Sequence, residues 1–331
     1  MLLPLPITLH IPPDNMTTII DAHSHLWLKQ DTRVDGKRIL TLRDGRSVFL
    51  DEEVQMLPPF MIDGVNSAEV FLSNMNYAQV GAAVVVQEII DGNQNEYLTK
   101  VQQTYPDRFF CMGMTEFRYG NDFLAGAQAV VNSPLKGLAI PGHRLLSVPT
   151  SPKEDKFETL HLNSSRMMQL FKLLENNDMV LSMCLADDEQ QIAEMGEVIQ
   201  ECPKLRIAIG HFGMVTTPSF ERQVKLALLG ENVMVESGGI TWLYNAEFYP
   251  YPTAVRSICQ AADWVGWDRL MWGSDYPRTI TAITYRMSYD FVSKSRELSD
   301  EQKAQFLGGN AQRFYGFKIL PELPYIKNMS E

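Results

Sequence analysis

What most constrains this chain is a rhythm of eight short apolar, β-branched runs with helix-patterned segments between them. The runs are "TTIIDAH", "GAAVVVQE", "RFFCMGM", "LKGLAI", "MVLSMC", "LRIAIGH", "NVMVES" and "RLMWGSD". The second, sixth and seventh are almost continuously apolar, as expected of parallel strands buried on both faces. The segments "SAEVFLSNMNYAQV", "NEYLTKVQQTYPDRF", "SSRMMQLFKLLENND", "DEQQIAEMGEVIQECP" and "LSDEQKAQFLGGNAQRFYGF" read as helices. Ser67 and Ser299 stand where helix starts belong. With 331 residues, 45% of them hydrophobic, the chain can bury a large core. The pattern predicts an α/β fold, a (β/α)8 TIM barrel rather than a doubly wound open sheet. An insertion at about residues 29–63 separates the first strand from its helix. Within it, "GKRILTLRDGRSVFL" holds two strand-like runs around Asp44-Gly45, a hairpin signal. A long loop after a barrel strand lies at the catalytic end, so the hairpin is expected to roof the pocket. Residues 1–16 read as an N-terminal extension, and 17–331 as a single barrel domain.

In a barrel of this kind, functional side chains belong at the C-terminal ends of strands. His23 and His25, two of only six histidines, end the first strand. Residues two apart on a strand share a face, so the two imidazoles project side by side. Such a pair serves a shared metal ion or reacting group, or simply packs. His211 ends the sixth strand and Asp275 follows the eighth. Three imidazoles and one carboxylate from three strands make a sensible set for one divalent ion, zinc or manganese, with room for a water. Other strand ends offer substrate-facing candidates. Glu88, Glu116 and Glu236 end the second, third and seventh strands, and His143 and Arg144 follow the fourth. Arg278 follows "GSDYP", and Trp27, Trp242 and Tyr244 could form an aromatic wall. The arginines suit a carboxylate gripped through two parallel bonds, and the acids suit hydroxyl groups or local caps.

"DAHSHLW", "IGHFGM", "WGSDYPR" and "LGGNAQRFYGF" in this order resemble the amidohydrolase superfamily. The likeness is greatest to its amidohydrolase-2 branch of TIM-barrel hydrolases, lactonases and decarboxylases. "YAQVGAAVVVQEIIDGNQNEYL" and "YPDRFFCMGM" also look like that branch, and the resemblance runs from about residue 17 to 318. It implies that His23, His25, His211 and Asp275 form the metal site, with Asp275 as general base. There are departures. Met183, Cys184 and Leu185 stand where many members carry a fifth-strand histidine. Lys136 lies at the wrong end of its strand for a bridging carbamate, so a binuclear site is not expected. What remains resembles sugar-lactone and pyrone-dicarboxylate hydrolases, which implies a lactonase-like enzyme acting on a small cyclic ester. Decarboxylation or hydration of an unsaturated carboxylic acid on the same barrel is the alternative, and the missing histidine argues against it. The resemblance leaves open whether the ion is required. Without it, the histidines would hydrogen-bond the carbonyl oxygen directly.

The net charge of -11 argues against nucleic acid or an anionic membrane as partner. No run approaches the ~18 apolar residues of a membrane span. "MLLPLPITLHIPP" lacks the basic start of a secretory leader. The four cysteines match no metal or disulfide pattern, which suits a reducing cytoplasm. The expected partner is a small-molecule substrate, with a homodimer as the default assembly.

Overall fold

The structure, a computed structural model, describes residues 18–325 together with 327 and 329. The expected extension at residues 1–16 lies outside the described residues. The chain starts with β1 (Ile19–Ser24) and then runs into an antiparallel meander. This comprises β2 (Asp31–Val34), β3 (Lys37–Thr41), β4 (Arg46–Phe49) and β5 (Glu52–Gln55). Next come β6 (Val80–Val85), β7 (Phe109–Gly113) and β8 (Gly137–Ile140), a short antiparallel pair of β9 (Val148–Pro149) and β10 (Phe157–Glu158), then β11 (Val180–Met183), β12 (Arg206–Ile209), β13 (Val233–Glu236) and β14 (Leu270–Met271).

All eight sequence-predicted strands form, and they pair in parallel in the order β1-β6-β7-β8-β11-β12-β13-β14. The ring closes through Ala22 N to Trp272 O (2.9 Å), Asp275 N to His23 O (2.9 Å) and His25 N to Tyr276 O (2.7 Å). This is the (β/α)8 barrel expected from the alternation. Ser67 caps the helix Ala68–Tyr77, Ser164 caps Ser165–Asn176 and Asp188 caps Glu189–Glu201, each by accepting a first-turn backbone N–H. Ser299 and Gln302 form a reciprocal capping box at the last long helical segment.

Two apolar layers follow from the strand alternation. Outward-facing residues such as Val85, Phe109, Leu138 and Ile209 meet the helices through Phe71, Leu98, Phe171 and Val198. Inward-facing Ile20, Ala22, Val84, Met112, Ala139, Ala208 and Met271 fill the barrel. Phe314, Tyr315 and Phe317 join this inner layer from below, with Tyr315 against Phe110 near the start of β7. The interior is a packed core, so a cavity can form only at the other end of the strands.

The hairpin around Asp44-Gly45 is present, with Ile39 opposite Phe49 and Thr41 opposite Ser47. Asp44 and Gly45 both take positive φ, as a tight hairpin turn requires. Flanking β2 and β5 extend it to a four-stranded sheet. These strands escaped sequence detection because "DTRV" and "EEVQ" are short and polar. Phe49, Val54 and Met56 of the meander line the cavity over the strand ends, so the insertion is the roof. Among the described residues no helix is long and apolar enough to cross a membrane.

Candidate active site

The site grows from the end of β1. His23 is almost wholly buried, and its Nδ1 lies 2.7 Å from Glu236 Oε1 at the end of β13. His25 Nδ1 lies 2.8 Å from Asp91 Oδ2, in a 3₁₀ turn that follows β6. A carboxylate only accepts, so each Nδ1 carries the hydrogen and each neutral imidazole presents a bare Nε2. The two Nε2 atoms are 3.1 Å apart. Asp275 Oδ1 stands 3.3 Å from His25 Nε2 and 3.8 Å from His23 Nε2.

Three acceptor atoms thus surround one point, all within 4.8 Å of one another. Bare acceptors at these distances repel unless a cation lies among them. A proton relieves this in part. Burial disfavours charge on His25, but Asp91 and Asp275 outweigh it and raise its imidazole well above the ordinary range. Burial likewise pushes Asp275 up, yet the bond to His25 and the charges of His211, His25 and His23 hold its carboxyl well below the ordinary range. The donor set of two imidazoles and one carboxylate also fits a divalent metal ion, with further positions left for water or substrate.

His211 is placed beside this set rather than in it. Its ring centroid is 4.6 Å from that of His23, and its Nδ1 donates to Gly238 O at 2.9 Å. Its Nε2 is therefore left to the cavity, whose wall it shares with His25 and Asp275. Both His211 (φ 51°) and Asp275 (φ 57°) occupy the left-handed backbone region, as do Phe212 and Met214. For non-glycine residues that costs about 1 kcal/mol each. Two side chains of the site are therefore carried on strained backbone.

The cavity above measures about 620 Å³. Glu88, His143, Arg144, Trp242 and Arg278 all line it. Glu88 is already engaged, bonded to Arg144 Nε at 3.0 Å and capping the 3₁₀ turn through Ile90 N. Arg144 is further tied toward the roof, 3.9 Å from Asp35. Arg278 instead places its guanidinium carbon 3.8 Å from the centre of the Trp242 ring, and no carboxylate partners it among the described residues. Trp242 donates its indole N–H to Asp275 Oδ2 at 2.6 Å.

Three expectations need correction. Glu236, read as substrate-facing, is 1% exposed and fully occupied by His23, by His211 N and by Gly238 N. Glu116 turns to Arg118 and lines no part of the cavity. Tyr244 leaves the aromatic wall and bonds Ser257. Cys184 does reach the cavity, where burial pushes its thiol well up, and it stands outside the His23, His25 and Asp275 set. Lys136 is exposed before β8, away from the strand ends that carry the site.

Two important residues were missed. Asp91 orients His25, and Asp21 anchors the loop that carries Asp275. Asp21 accepts Ser274 N at 2.8 Å and Tyr285 OH at 2.7 Å. An acid inside the apolar run "IIDAH" was the available signal for Asp21.

The family model described as Amidohydrolase matches residues 20–317. A search of curated proteins finds no match. Solved structures are similar throughout the fold. A probable 2-pyrone-4,6-dicarboxylic acid hydrolase from Acinetobacter baumannii, with citric acid bound, is 16% identical; the alignment covers 91% of this chain and 100% of that one, with a TM-score of 0.64. An amidohydrolase from Burkholderia multivorans with bound zinc is 18% identical, covering 92% and 100%, with a TM-score of 0.62. The 5-carboxyvanillate decarboxylase of Sphingomonas paucimobilis is 14% identical, covering 91% and 100%, with a TM-score of 0.60.

Proposed function

The chain belongs to the amidohydrolase family, and from that premise we propose that it is a hydrolase that opens a lactone or similar small cyclic ester. The observation that carries the reading is the convergence of His23 Nε2, His25 Nε2 and Asp275 Oδ1 beneath a cavity large enough for a small ring compound. His23, His25 and Asp275 would hold a divalent metal ion, which when bound would supply a Lewis acid for the ester carbonyl and for its bound water. Zinc is the favoured ion, since imidazole and carboxylate donors suit it.

The protein's own groups do the rest. Asp275 takes a proton from the attacking water and returns it to the ring oxygen as that oxygen leaves. The indole of Trp242 keeps Oδ2 engaged, so the proton is taken on the face turned to the histidines. His211, with Nδ1 fixed on Gly238, uses its free Nε2 to orient the attacking water. Arg278, Arg144 and His143 bind polar groups of the substrate at the cavity mouth. The roof covers part of the cavity, and partial removal from bulk water strengthens each of these interactions.

Hydrolysis is favoured over decarboxylation because Met183, Cys184 and Leu185 leave the end of β11 without an imidazole. Four unpaired cysteines suit a cytoplasmic setting. A panel of sugar lactones, pyrone carboxylates, enol acids and amides, assayed with measured metal content, tests the proposal. Ring opening of a lactone with one metal ion per chain, lost in His23→Ala, is the expected result. Release of carbon dioxide without lactone turnover overturns it.

A further inference from the structure

We propose that Glu236 and Asp91 are paired positioning residues that fix the tautomers and ring planes of His23 and His25, and so set the affinity of the site for a divalent metal ion. The inference rests on the metal-assisted reading of the site and adds to it the residues that tune the ion.

Each carboxylate is bonded to the Nδ1 of one imidazole, at 2.7 Å for Glu236 with His23 and 2.8 Å for Asp91 with His25. Neither could present a bare Nε2 reliably without such a partner, because a free imidazole exchanges its proton between both nitrogens. The two pairs approach from different elements, β13 and the turn after β6, yet turn the two Nε2 atoms to within 3.1 Å. A pair built only for packing has no reason to aim its second nitrogen at another pair's second nitrogen.

Glu236 is also held with unusual tightness. Oε1 accepts from His211 N at 3.1 Å and Oε2 from Gly238 N, so one carboxylate joins the ends of β1, β12 and β13. Backbone closes over the pair from two sides. A Cβ at Gly238 would stand 2.8 Å from both Oε2 and His23 Cγ, and one at Gly273 would stand 2.7 Å from His23 Cβ. Only glycine fits at either position, and the imidazole has no room to turn. Asp91 is steadied by Glu88 N at 3.0 Å, and its side chain is buried. Carboxylates placed behind ligating imidazoles commonly change metal affinity 10- to 100-fold.

The test is Zn2+ titration against a chromophoric chelator, which requires no turnover. It compares wild type, Glu236→Gln, Asp91→Asn and Glu194→Gln. Glu194 holds His161 Nδ1 at 2.7 Å outside the cavity, so its variant loses an equivalent pair without touching the site. The expected result is one ion per chain in wild type, roughly 10- to 100-fold weaker binding in Glu236→Gln and in Asp91→Asn, and unchanged binding in Glu194→Gln. The visible spectrum of the Co2+-loaded protein should shift in the first two variants alone. Should Glu236→Gln fail to fold, Asp91→Asn decides. Unchanged affinity and spectrum in the folded variants, or a wild type that takes up no ion, overturns the proposal. An intact affinity pattern in a protein that opens no lactone sinks only the hydrolytic reading.

Discussion

The indole N–H of Trp242 reaches Asp275 Oδ2 at 2.6 Å, while Oδ1 of the same carboxylate faces His25 at 3.3 Å. The two oxygens of Asp275 therefore have separate tasks. One is anchored to the wall, and the other is turned to the reacting space. Asp275→Asn puts an amide where a base is needed and should lower kcat by at least about a hundredfold. Its circular dichroism should stay that of wild type, because the backbone bond from Asp275 N to His23 O survives. Substantial turnover in the folded variant would remove Asp275 from its role.

Trp242→Phe keeps a smaller aromatic surface and deletes the N–H. The loss of one bond to a charged group, about 1.5–3 kcal/mol, should appear mainly in kcat, as a drop of roughly tenfold or more. Steady-state kinetics on the preferred lactone separates the terms. An unchanged kcat with a raised KM would make Trp242 a substrate contact instead.

Arg278 and Arg144 both line the cavity, but they differ in what they already hold. Arg144 is matched by Glu88 and Asp35, while among the described residues Arg278 has only the Trp242 face beneath it. An unmatched guanidinium is the better anchor for an anionic substituent. Arg278→Gln should therefore raise KM about tenfold or more for carboxylated lactones and leave neutral lactones nearly unchanged. Equal effects on both substrate types would reduce Arg278 to a surface residue.

The contrast between what the sequence revealed and what it hid is physical. Parallel strands buried on both faces are mostly apolar, so the eight runs were visible. His23, His25 and Asp275 were legible because strand ends in this fold carry function and because H-x-H puts both imidazoles on one face. The task of Glu236 was not legible, since its partner His23 lies 213 residues away. Asp91 sits in a short turn whose direction no periodicity encodes. His211 was expected among the ligands, but its Nδ1 bond to Gly238 O and the left-handed backbone around it place its ring at the side of the set. Pattern alone cannot supply those backbone angles.

Asp21 gives a prediction about stability rather than rate. It is fully buried, and its oxygens accept from His23 N, Ser274 N, Ser274 Oγ and Tyr285 OH. Burial pushes its carboxyl from 3.8 to about 6, although the four donors pull the other way. In the unfolded chain Asp21 gives up its proton near pH 4, whereas in the folded protein it keeps it until near pH 6. Below pH 4 both states are protonated, and the folded state holds its full advantage. Between pH 4 and 6 the folded state binds more protons, so stability from this group falls as pH rises, by up to about 3 kcal/mol. Asp275 and Glu236, with lowered values, act in the opposite sense, so the raw curve mixes the two. Asp21→Asn isolates the term, because position 21 then no longer titrates. Urea unfolding of both proteins at intervals from pH 4 to 7 should show the stability of wild type relative to the variant declining with pH, most steeply near 5. A difference that stays level across that range would mean that the four donors, not burial, govern Asp21.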